Sequence, residues 1–245
     1  MTKASIIIPT YNRLDLLQNC VSSIRKYTDT PYEIIIVDNA STDGSAEWCR
    51  REKLAFISLP RNEGFPIACN KGLRLSSGDT LVLLNNDTVV TPNWLSNMTA
   101  ALNSSSDVGI VGPVTNYASG SQQVHYPFED VEEFQRIASE VNIQDHSKWK
   151  RVERIVGICF VFNRSLIEKI GLLDERFSPG HYEDDDFCLR TRLHGYSLLV
   201  CHDTLIYHEG SASFKREGIA EQQLLVERNY RMFMDKWHVD PRSFI

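Results

Sequence analysis

Three groups of acidic side chains in this sequence could do chemistry. Asp38 ends an apolar run, Asp87 follows another, and four acids stand in succession at residues 183–186. A carboxylate in the first position can accept a hydrogen bond from the imide N–H of uracil or thymine. One in the second can bind a hard divalent cation, which takes carboxylate and phosphate oxygens as ligands. One acid of the third group can act as a general base if it reaches the proton of a nucleophile.

Each group also has a purely structural interpretation. Asp38, Asn39 and Asp43 are typical of a turn that caps a helix, and residues 85–87 are ordinary turn residues. The four successive acids are typical of a helix start, where the helix dipole favours negative charge. Four acids in one turn also repel one another, which favours a working role for at least one of them. Taken singly, the first two groups leave both interpretations open.

The acidic groups lie where predicted strands and helices end. β-branched runs at residues 5–8, 33–37, 54–59 and 80–84 predict four buried strands, with helices between them. The first strand is expected to stop at Pro9, and Asn12 is expected to cap the first helix. Such alternation indicates parallel strands, whose ligand site lies at their carboxyl ends. Asp38 and Asp87 are therefore both expected at that edge.

The second half of the chain has a more mixed pattern. Strands are predicted at 108–114, 154–162 and 198–207, and helices at 94–102, 131–140, 183–194 and 220–237. Residues 115–150 are otherwise polar and irregular. No internal repeat, low-complexity tract or Gly/Ser linker interrupts the chain, so one domain is expected over residues 1–245.

The composition argues against several classes of protein. The 245 residues carry a net charge of −6, which argues against a nucleic-acid partner. The six cysteines include no CxxC pair, and Cys20, Cys159 and Cys201 lie among apolar neighbours, as buried free thiols do. No apolar run approaches the ~20 residues of a membrane span, and the first residues lack the apolar core of a signal peptide. A cytoplasmic protein is expected, and peripheral contact with the inner face of a membrane is left open.

Six short segments occur in order along nearly the whole chain. They are Ile7-Ile8-Pro9-Thr10-Tyr11-Asn12-Arg13, Val37-Asp38-Asn39-Ala40-Ser41-Thr42-Asp43-Gly44, Asn62-Glu63-Gly64-Phe65 with Asn70-Lys71-Gly72, Leu84-Asn85-Asn86-Asp87, Glu183-Asp184, and Arg228-Asn229-Tyr230 near Lys236-Trp237. Together they resemble the family 2 glycosyltransferases. The resemblance implies an α/β protein with the GT-A fold, in which a mainly parallel central sheet of Rossmann-like βαβ units has helices on both faces. It also implies a nucleotide-sugar-binding half at 1–114 and an acceptor-binding and catalytic half at 115–245.

The resemblance assigns roles to individual residues. It makes Asp184 the catalytic base, supported in the acidic run by Glu183 and Asp185. It places Asp38 against the nucleotide base. The other residues that it places along the nucleotide are Pro9, Thr10, Tyr11, Asn62, Gly64 and Asn86.

The resemblance also implies a divalent metal, Mn²⁺ or Mg²⁺. The family's Asp-x-Asp metal motif corresponds to residues 85–87, and this sequence departs from it because Asn85 replaces the first Asp. Asp87 is then the one carboxylate of the motif. His208, downstream of the catalytic acid at a predicted strand end, is expected to complete the site, since neutral imidazole is a good ligand for a transition metal. The loop after His208 is expected to close over the ion.

The implied reaction is an inverting transfer of a sugar from a UDP- or dTDP-sugar to an acceptor hydroxyl. Glycosidases need two carboxylates because their leaving group must be protonated, whereas a diphosphate leaving with a metal needs only one base. The resemblance is to bacterial enzymes that build surface polysaccharides, including rhamnosyltransferases. The sugar, the oligomeric state and the acceptor, whether glycan, lipid-linked or protein, stay open.

Three rivals fit the sequence less well. Sugar-1-phosphate nucleotidyltransferases begin with a Gly-rich loop that carries Arg and Lys, whereas this first strand ends in Pro9-Thr10-Tyr11. NAD-dependent oxidoreductases need GxGxxG after the first strand, and none is present. A nucleotide-sugar-binding protein without catalysis would not need Asp38, Asp87 and Asp184 together.

Overall fold

The computed structural model describes residues 3–210 and 219–244. In these ranges the strands are β1 (Ala4–Thr10), β2 (Tyr32–Asp38), β3 (Ala55–Ser58), β4 (Thr80–Leu84), β5 (Thr88–Val89), β6 (Val108–Thr115), β7 (Trp149–Val152), β8 (Cys159–Asn163) and β9 (Ser197–His208). The α-helices are α1 (Leu14–Tyr27), α2 (Ser45–Arg51), α3 (Phe65–Leu75), α4 (Trp94–Leu102), α5 (Val131–Val141), α6 (Arg164–Ile170), α7 (Glu183–Leu193) and α8 (Ile219–Trp237).

The strands form one sheet in the order β3-β2-β1-β4-β8-β6-β9-β5, with β7 also paired to β9. β1 runs parallel to β2 and β4, β2 to β3, and β6 to β9. β8 is antiparallel to both β4 and β6, so β6 and β9 point the same way as β1 to β4. Of the described strands, β5, β7 and β8 run in the opposite direction. The prediction of a mainly parallel central sheet is confirmed.

Helices cover both faces of the sheet, as predicted. In β1, Ile6 and Ile8 pack into one apolar core and Ile7 into the other, as the two-residue period of a strand requires. The first core receives α1, α2 and α4, and the second receives α3, α5, α6 and α7. Burial on both faces explains why β1, β2 and β4 read as continuous apolar runs.

Strand boundaries in the second half differ from the prediction. The strand expected at 154–162 begins only at Cys159, because the preceding backbone donates its N–H groups to side chains. Val156 donates to Gln122, Gly157 donates to Asp184, and the N–H of Ile155 points at the sulfur of Cys188. These groups are therefore not available to a strand ladder. Residues 149–152, expected to be irregular, form β7 instead.

The start of α1 also differs from the prediction. Arg13, with φ of 69°, is its N-cap residue, and the side chain of Asn12 does not cap the helix. The carboxylate of Asp43 accepts from the N–H of Leu14 at 2.7 Å. Asn12 instead accepts from the N–H of Thr42 at 3.0 Å. The cap comes from a loop distant in sequence, which a local pattern does not reveal.

The predictions on cysteines and membrane spans can be compared with the described residues. All six cysteines are buried free thiols, which confirms the prediction for Cys20, Cys159 and Cys201. Burial raises the pKa of Cys20 to about 12, so this thiol is unreactive at neutral pH. In the ranges 3–210 and 219–244, the model contains no helix with the length and apolar character that crossing a bilayer requires.

Candidate functional site

The carboxyl ends of β1, β2 and β4 meet at one edge of the sheet, as predicted. Thr10 and Asp38 are partners in the β1–β2 register. The amide Nδ2 of Asn86, just after β4, donates to Oγ1 of Thr10 at 2.9 Å. Three residues predicted to line the nucleotide are thus brought together. β1 continues through Pro9 to Thr10, so the expectation that it stops at Pro9 is wrong.

The carboxylate of Asp38 is held from two sides. Its Oδ1 accepts from the N–H of Ser41 at 3.0 Å, and its Oδ2 accepts from the hydroxyl of Ser58 at 2.9 Å. The side chain is only 1% exposed, yet each oxygen keeps a further lone pair. Ser58, which the sequence did not single out, reaches Asp38 because the two are partners in the β2–β3 register. Its contact with a nucleotide base stays a prediction.

Asn39 ties this edge to the predicted segment around Asn62 and Gly64. Its Nδ2 donates to the carbonyl of Gly64 at 3.1 Å, and its Oδ1 accepts from the N–H of Glu63 at 3.0 Å. Oδ1 of Asn62 accepts from the N–H of Gly64 at 3.0 Å. Tyr11 has an exposed ring, at 46%. The predicted nucleotide residues of two separate loops therefore belong to one hydrogen-bonded unit.

Asp87 and His208 lie side by side, as the sequence predicted for a metal pair. Thr88 of β5 pairs with His208 at the end of β9. Nε2 of His208 is 3.3 Å from Oδ1 of Asp87, and both side chains are 7% exposed. Among the described residues, Oδ1 of Asp87 accepts no well-formed hydrogen bond.

The tautomer of His208 follows from its second neighbour. Nδ1 lies 2.7 Å from the carbonyl oxygen of Tyr117, which can only accept, so Nδ1 carries the hydrogen. In neutral His208 the lone pair of Nε2 then faces the carboxylate of Asp87. Burial alone lowers the pKa of His208, but the Asp87 carboxylate and the Tyr117 carbonyl outweigh it and raise the pKa above its usual value.

Two residues that the sequence did not single out hold His208 in place. Asn116 accepts from the N–H of His208 at 2.9 Å and donates to its carbonyl at 3.0 Å. The ring of Tyr117 lies 5.8 Å from that of His208, and a Cβ on Gly210 would approach the Tyr117 ring to 2.6 Å. Asn116 and Tyr117 directly follow β6, which pairs with β9. Only their position in this pairing indicates that they contact His208.

The Asp87–His208 pair fits a divalent ion. Nε2 of His208 and Oδ1 of Asp87 are adjacent, and among the described residues the buried Oδ1 of Asp87 has no hydrogen-bond donor. A separation of 3.3 Å suits two adjacent ligands of an ion with bonds of about 2.1 Å. Within the described part of the chain, no group of three or more His, Cys, Asp or Glu could hold a metal. The remaining ligands would have to come from another molecule, such as a diphosphate.

The predicted base Asp184 lies in the first turn of α7, 8% exposed. Its Oδ2 accepts from the N–H of Gly157 at 3.0 Å, and its Oδ1 accepts from the N–H of Asp185 at 3.0 Å. A Cβ at Gly157 would lie 3.1 Å from Cβ of Asp184, so Asp184 would have to shift by a few tenths of an ångström to accommodate it. Two backbone donors therefore fix the direction in which this carboxylate points.

The acids on either side of Asp184 bind protons strongly. Burial, followed by the charge of Asp184, raises the pKa of Glu183 well above its usual value. The same two causes raise the pKa of Asp185 to about 8, although Nε of Arg154 lies 2.6 Å from its Oδ1. Arg154 also approaches Asp184, at 3.8 Å. One guanidinium and two proton-binding acids thus surround the predicted base.

Asp186, the last acid of the run, has the structural role that was the alternative for this segment. Its Oδ2 accepts from Arg190 at 2.8 Å. Its Oδ1 accepts from Nζ of Lys236 at 2.5 Å and from the indole N–H of Trp237 at 2.8 Å. The carboxylate is fully enclosed by these three partners from α7 and α8.

Two consecutive backbone residues contact the predicted base and the metal motif. The N–H of Asn85 donates to the carbonyl of Ile158 at 3.0 Å, and the preceding residue Gly157 donates to Asp184. Asp87 thus follows β4, His208 lies beside Asp87, and Asp184 contacts the segment that bonds to Asn85. The predicted closing loop after His208 falls largely on residues 211–218, outside the described residues.

Comparison with known proteins places this geometry in context. The model of the family described as Glycosyl transferase family 2 matches residues 5–171. The O-antigen biosynthesis protein RfbC of Myxococcus xanthus is 28% identical over 238 residues, which are 89% of this chain and 18% of that protein. Glycosyltransferase AglE of Haloferax volcanii is 27% identical over 216 residues, 83% of this chain and 66% of that protein. The chain therefore spans less than two thirds of the length of either relative.

Among solved structures, a mannosyltransferase from Pyrobaculum calidifontis, PcManGT, is similar, with a TM-score of 0.66. That structure is a complex with GDP-Man and Mn²⁺. The match covers 91% of this chain and 60% of that one, at 21% identity. Similarity at this identity shows the fold, and the predicted GT-A fold is confirmed.

Proposed function

We propose that this chain, which belongs to glycosyl transferase family 2, moves a sugar from a nucleotide-sugar donor to an acceptor hydroxyl. One observation carries the proposal. The carboxylate of Asp184 is aimed by the N–H of Gly157, and the next residue along, Ile158, bonds to Asn85 of the metal motif. These contacts support a base beside a diphosphate site, the arrangement that a one-step displacement needs.

The donor is a UDP- or dTDP-sugar in this proposal. Asp38 keeps lone pairs free beside its two internal hydrogen bonds, and a carboxylate of this kind can accept from the imide N–H of uracil or thymine. Asn86 and Thr10 lie beside it, and Asn62 and Gly64 are joined to it through Asn39. GDP-Man, the donor in the mannosyltransferase structure, is the alternative, because guanine also presents N–H donors.

Asp87 and His208 would hold the divalent ion, Mn²⁺ or Mg²⁺, against the donor diphosphate. When bound, the ion stabilises the charge that develops on the leaving diphosphate. The Mn²⁺ in the structure of the mannosyltransferase supports this part of the proposal. Asn116 and Tyr117 serve by fixing the place and tautomer of His208.

Asp184 takes the proton of the acceptor hydroxyl while that oxygen attacks the anomeric carbon. The bond from this carbon to the diphosphate oxygen breaks in the same step, so the anomeric configuration inverts. The hydrogen bonds from Gly157 and Asp185 aim the carboxylate. Burial and the charge of Asp184 raise the pKa values of Glu183 and Asp185, which favours their neutral forms and lessens the negative charge near the departing diphosphate.

The wider setting is inferred from relatives. RfbC is named for O-antigen biosynthesis, which supports surface-glycan synthesis; a position at the inner face of a membrane is part of the proposal. The acceptor is then a glycan, lipid-linked or protein molecule. In this proposal, residues 1–114 bind the nucleotide sugar, and residues 115–245 bind the acceptor and contribute the base.

The first prediction tests the reaction itself. Purified protein with Mn²⁺ is expected to hydrolyse slowly, or transfer from, one member of a panel of UDP-, dTDP- and GDP-sugars. Asp184→Asn should reduce turnover by ~10²–10⁴-fold, as loss of a general base does, with nucleoside diphosphate affinity changed less than about threefold. Turnover is followed by release of nucleoside diphosphate, and affinity by calorimetry.

The controls separate the proposal from its rivals. Asp29→Asn, at an exposed position away from the site, should behave like wild type. Binding of a nucleotide sugar without turnover by the wild type would make this a binding protein. Turnover of Asp184→Asn above about a third of wild type would mean that another acid is the base.

A further inference from the structure

The segment Arg228-Asn229-Tyr230, to which the proposed reaction gives no role, lies in the middle of α8. The side chain of Asn229 is fully buried. Its amide Nδ2 has two hydrogens, one of them shared, for three backbone carbonyls: those of Phe177 at 2.7 Å, Gly180 at 2.7 Å and His181 at 3.0 Å. One amide group therefore gathers three carbonyl oxygens of a single loop, residues 177–182.

The 177–182 loop leads into α7 with an unusual backbone. Its last two residues, His181 and Tyr182, have φ of 74° and 71°. Residues other than glycine rarely adopt this backbone conformation, so the surrounding structure must stabilise it. Arg228 adds a hydrogen bond to the carbonyl of Ser178, and its Nε donates to Oδ1 of Asn229 at 2.9 Å, which orients the amide. The support of this backbone comes from α8.

The other side of the 177–182 loop touches the predicted nucleotide segment. The N–H of Phe65 donates to the carbonyl of Pro179 at 2.8 Å. A Cβ on Gly64 would lie only 2.5 Å from Cα of Pro179. At its end, Tyr182 accepts from the N–H of Asp186 at 2.9 Å in the first turn of α7. The loop is thus packed between the donor side and the helix that carries the base.

We propose that Asn229 is a positioning residue for the transfer reaction. By fixing the 177–182 loop it sets the place of Asp184 relative to the bound donor, without touching either substrate. The role of Asp184 in this statement rests on the proposed function. The dependence of the loop on Asn229 does not, and the two can be tested separately.

The test compares Asn229→Ala and Arg228→Ala with Arg231→Ala as a matched control. Arg231 lies on the same helix, forms an ion pair with Glu227 at the helix surface, and has a side chain 73% exposed. Hydrogen–deuterium exchange of peptides covering 177–188 is the first readout, and thermal unfolding shows that each variant is folded. Asn229→Ala should speed exchange in these peptides at least about tenfold, Arg228→Ala should speed it less, and Arg231→Ala not at all.

The second readout is kinetic. Asn229→Ala should lower kcat about tenfold or more, because a small misplacement of reacting groups is costly. Affinity for the nucleoside diphosphate with Mn²⁺ should change less than about threefold, a split that general destabilisation would not produce. Asn229→Gln, which keeps the amide, should recover part of kcat.

Each outcome decides one of the two proposals. Wild-type exchange at 177–188 in Asn229→Ala, or faster exchange with an unchanged kcat, overturns the positioning role. If Asn229→Ala does not fold, Arg228→Ala decides in its place, and wild-type exchange there overturns the role. A wild-type protein that turns over no nucleotide sugar overturns the proposed function, while the exchange result still decides whether Asn229 fixes the loop.

Discussion

At His208, two neighbours of opposite character set what the imidazole can do. The Tyr117 carbonyl holds the hydrogen on Nδ1, and the Asp87 carboxylate faces Nε2. Nε2 is therefore a ligand atom when His208 is neutral and a donor to Asp87 when it is protonated. A metal ion and a proton compete for the same lone pair.

A metal titration follows from this competition. His208→Ala should raise the Mn²⁺ concentration for half-maximal turnover at least about tenfold, since loss of a ligand or its support costs metal affinity by such factors. The pKa of His208 is raised. The Mn²⁺ concentration that the wild type needs should therefore increase as the pH falls through this raised pKa, and His208→Ala should lose this dependence on pH. His125→Ala, at an exposed position, is the control. A titration of His208→Ala that matches wild type would remove His208 from the site.

Asp185 gives a prediction for stability against pH. Burial and the charge of Asp184 raise its pKa to about 8 in the folded protein, against about 3.9 in an unfolded chain. Between these values the folded state binds a proton that the unfolded state does not, so this residue lowers stability as the pH rises from about 4 to about 8. Asp185→Asn removes this titrating group. Between pH 5 and pH 8, the unfolding free energy of the variant, measured in urea, should therefore decrease by no more than about half as much as that of the wild type. An equal fall in both proteins would contradict the assignment.

Sequence could indicate the candidate acids but not the groups that orient them. Asp38, Asp87 and Asp184 each have a structural interpretation as turn or helix-start residues, and they stand out through the family resemblance. Their partners Ser58 and Gly157 are an ordinary serine and glycine, which become visible only through the register of β2 with β3 and the path of residues 155–158. Such contacts depend on packing between segments far apart in the chain.

At the scale of elements, the same reason decides which boundaries could be predicted. The buried strands β1, β2 and β4 show uninterrupted apolar runs, and the helix at 183–194 shows an acidic start, so both kinds were recognised. β5 has two residues, too few for any periodicity. β8 starts late because distant side chains take the N–H groups before it. Local patterns indicate elements, whereas tertiary hydrogen bonds set their ends.

The contact between the Gly64 turn and the 177–182 loop gives an element-scale prediction. Gly64 and Gly195 both have positive φ, 92° and 81°, but a Cβ at Gly64 would meet the Pro179 backbone at 2.5 Å, whereas nothing lies within 4 Å at Gly195. Gly195→Ala should cost about 1–2 kcal/mol of unfolding free energy from backbone strain alone. Gly64→Ala should cost a further ~1–3 kcal/mol because two backbones must move apart.

Urea unfolding of the two variants measures the difference, and nucleoside diphosphate affinity gives a second readout. Gly64→Ala should also bind nucleotide more weakly, because the turn carries Asn62. Equal destabilisation by the two substitutions would show that the turn and the loop are not pressed together.

For the whole molecule, the arrangement implies that nucleotide and metal bind as one unit. The described residues offer Asp87 and His208 to an ion, and no set of three such ligands, so an ion alone has few protein contacts. In the proposed function, a nucleoside diphosphate would bring phosphate oxygens that complete the coordination, and Asp38 and Asn86, which lie at the same sheet edge, would hold its other end. Each ligand should therefore raise the affinity of the other.

The last prediction is a thermal shift that depends on both ligands together. A ligand pair that binds only the folded state at 100 times its Kd stabilises it by about 2.7 kcal/mol, which for a protein of this size raises Tm by roughly 5–10 °C. We expect that rise with UDP, dTDP or GDP and Mn²⁺ combined, and less than a third of it with either alone. In His208→Ala the combined shift should shrink toward that of the nucleotide alone, while Asp38→Ala should weaken the nucleotide contribution and leave the dependence on Mn²⁺. Shifts that simply add, with full stabilisation by nucleotide in the presence of a chelator, would mean that the diphosphate is held by the chain without a metal.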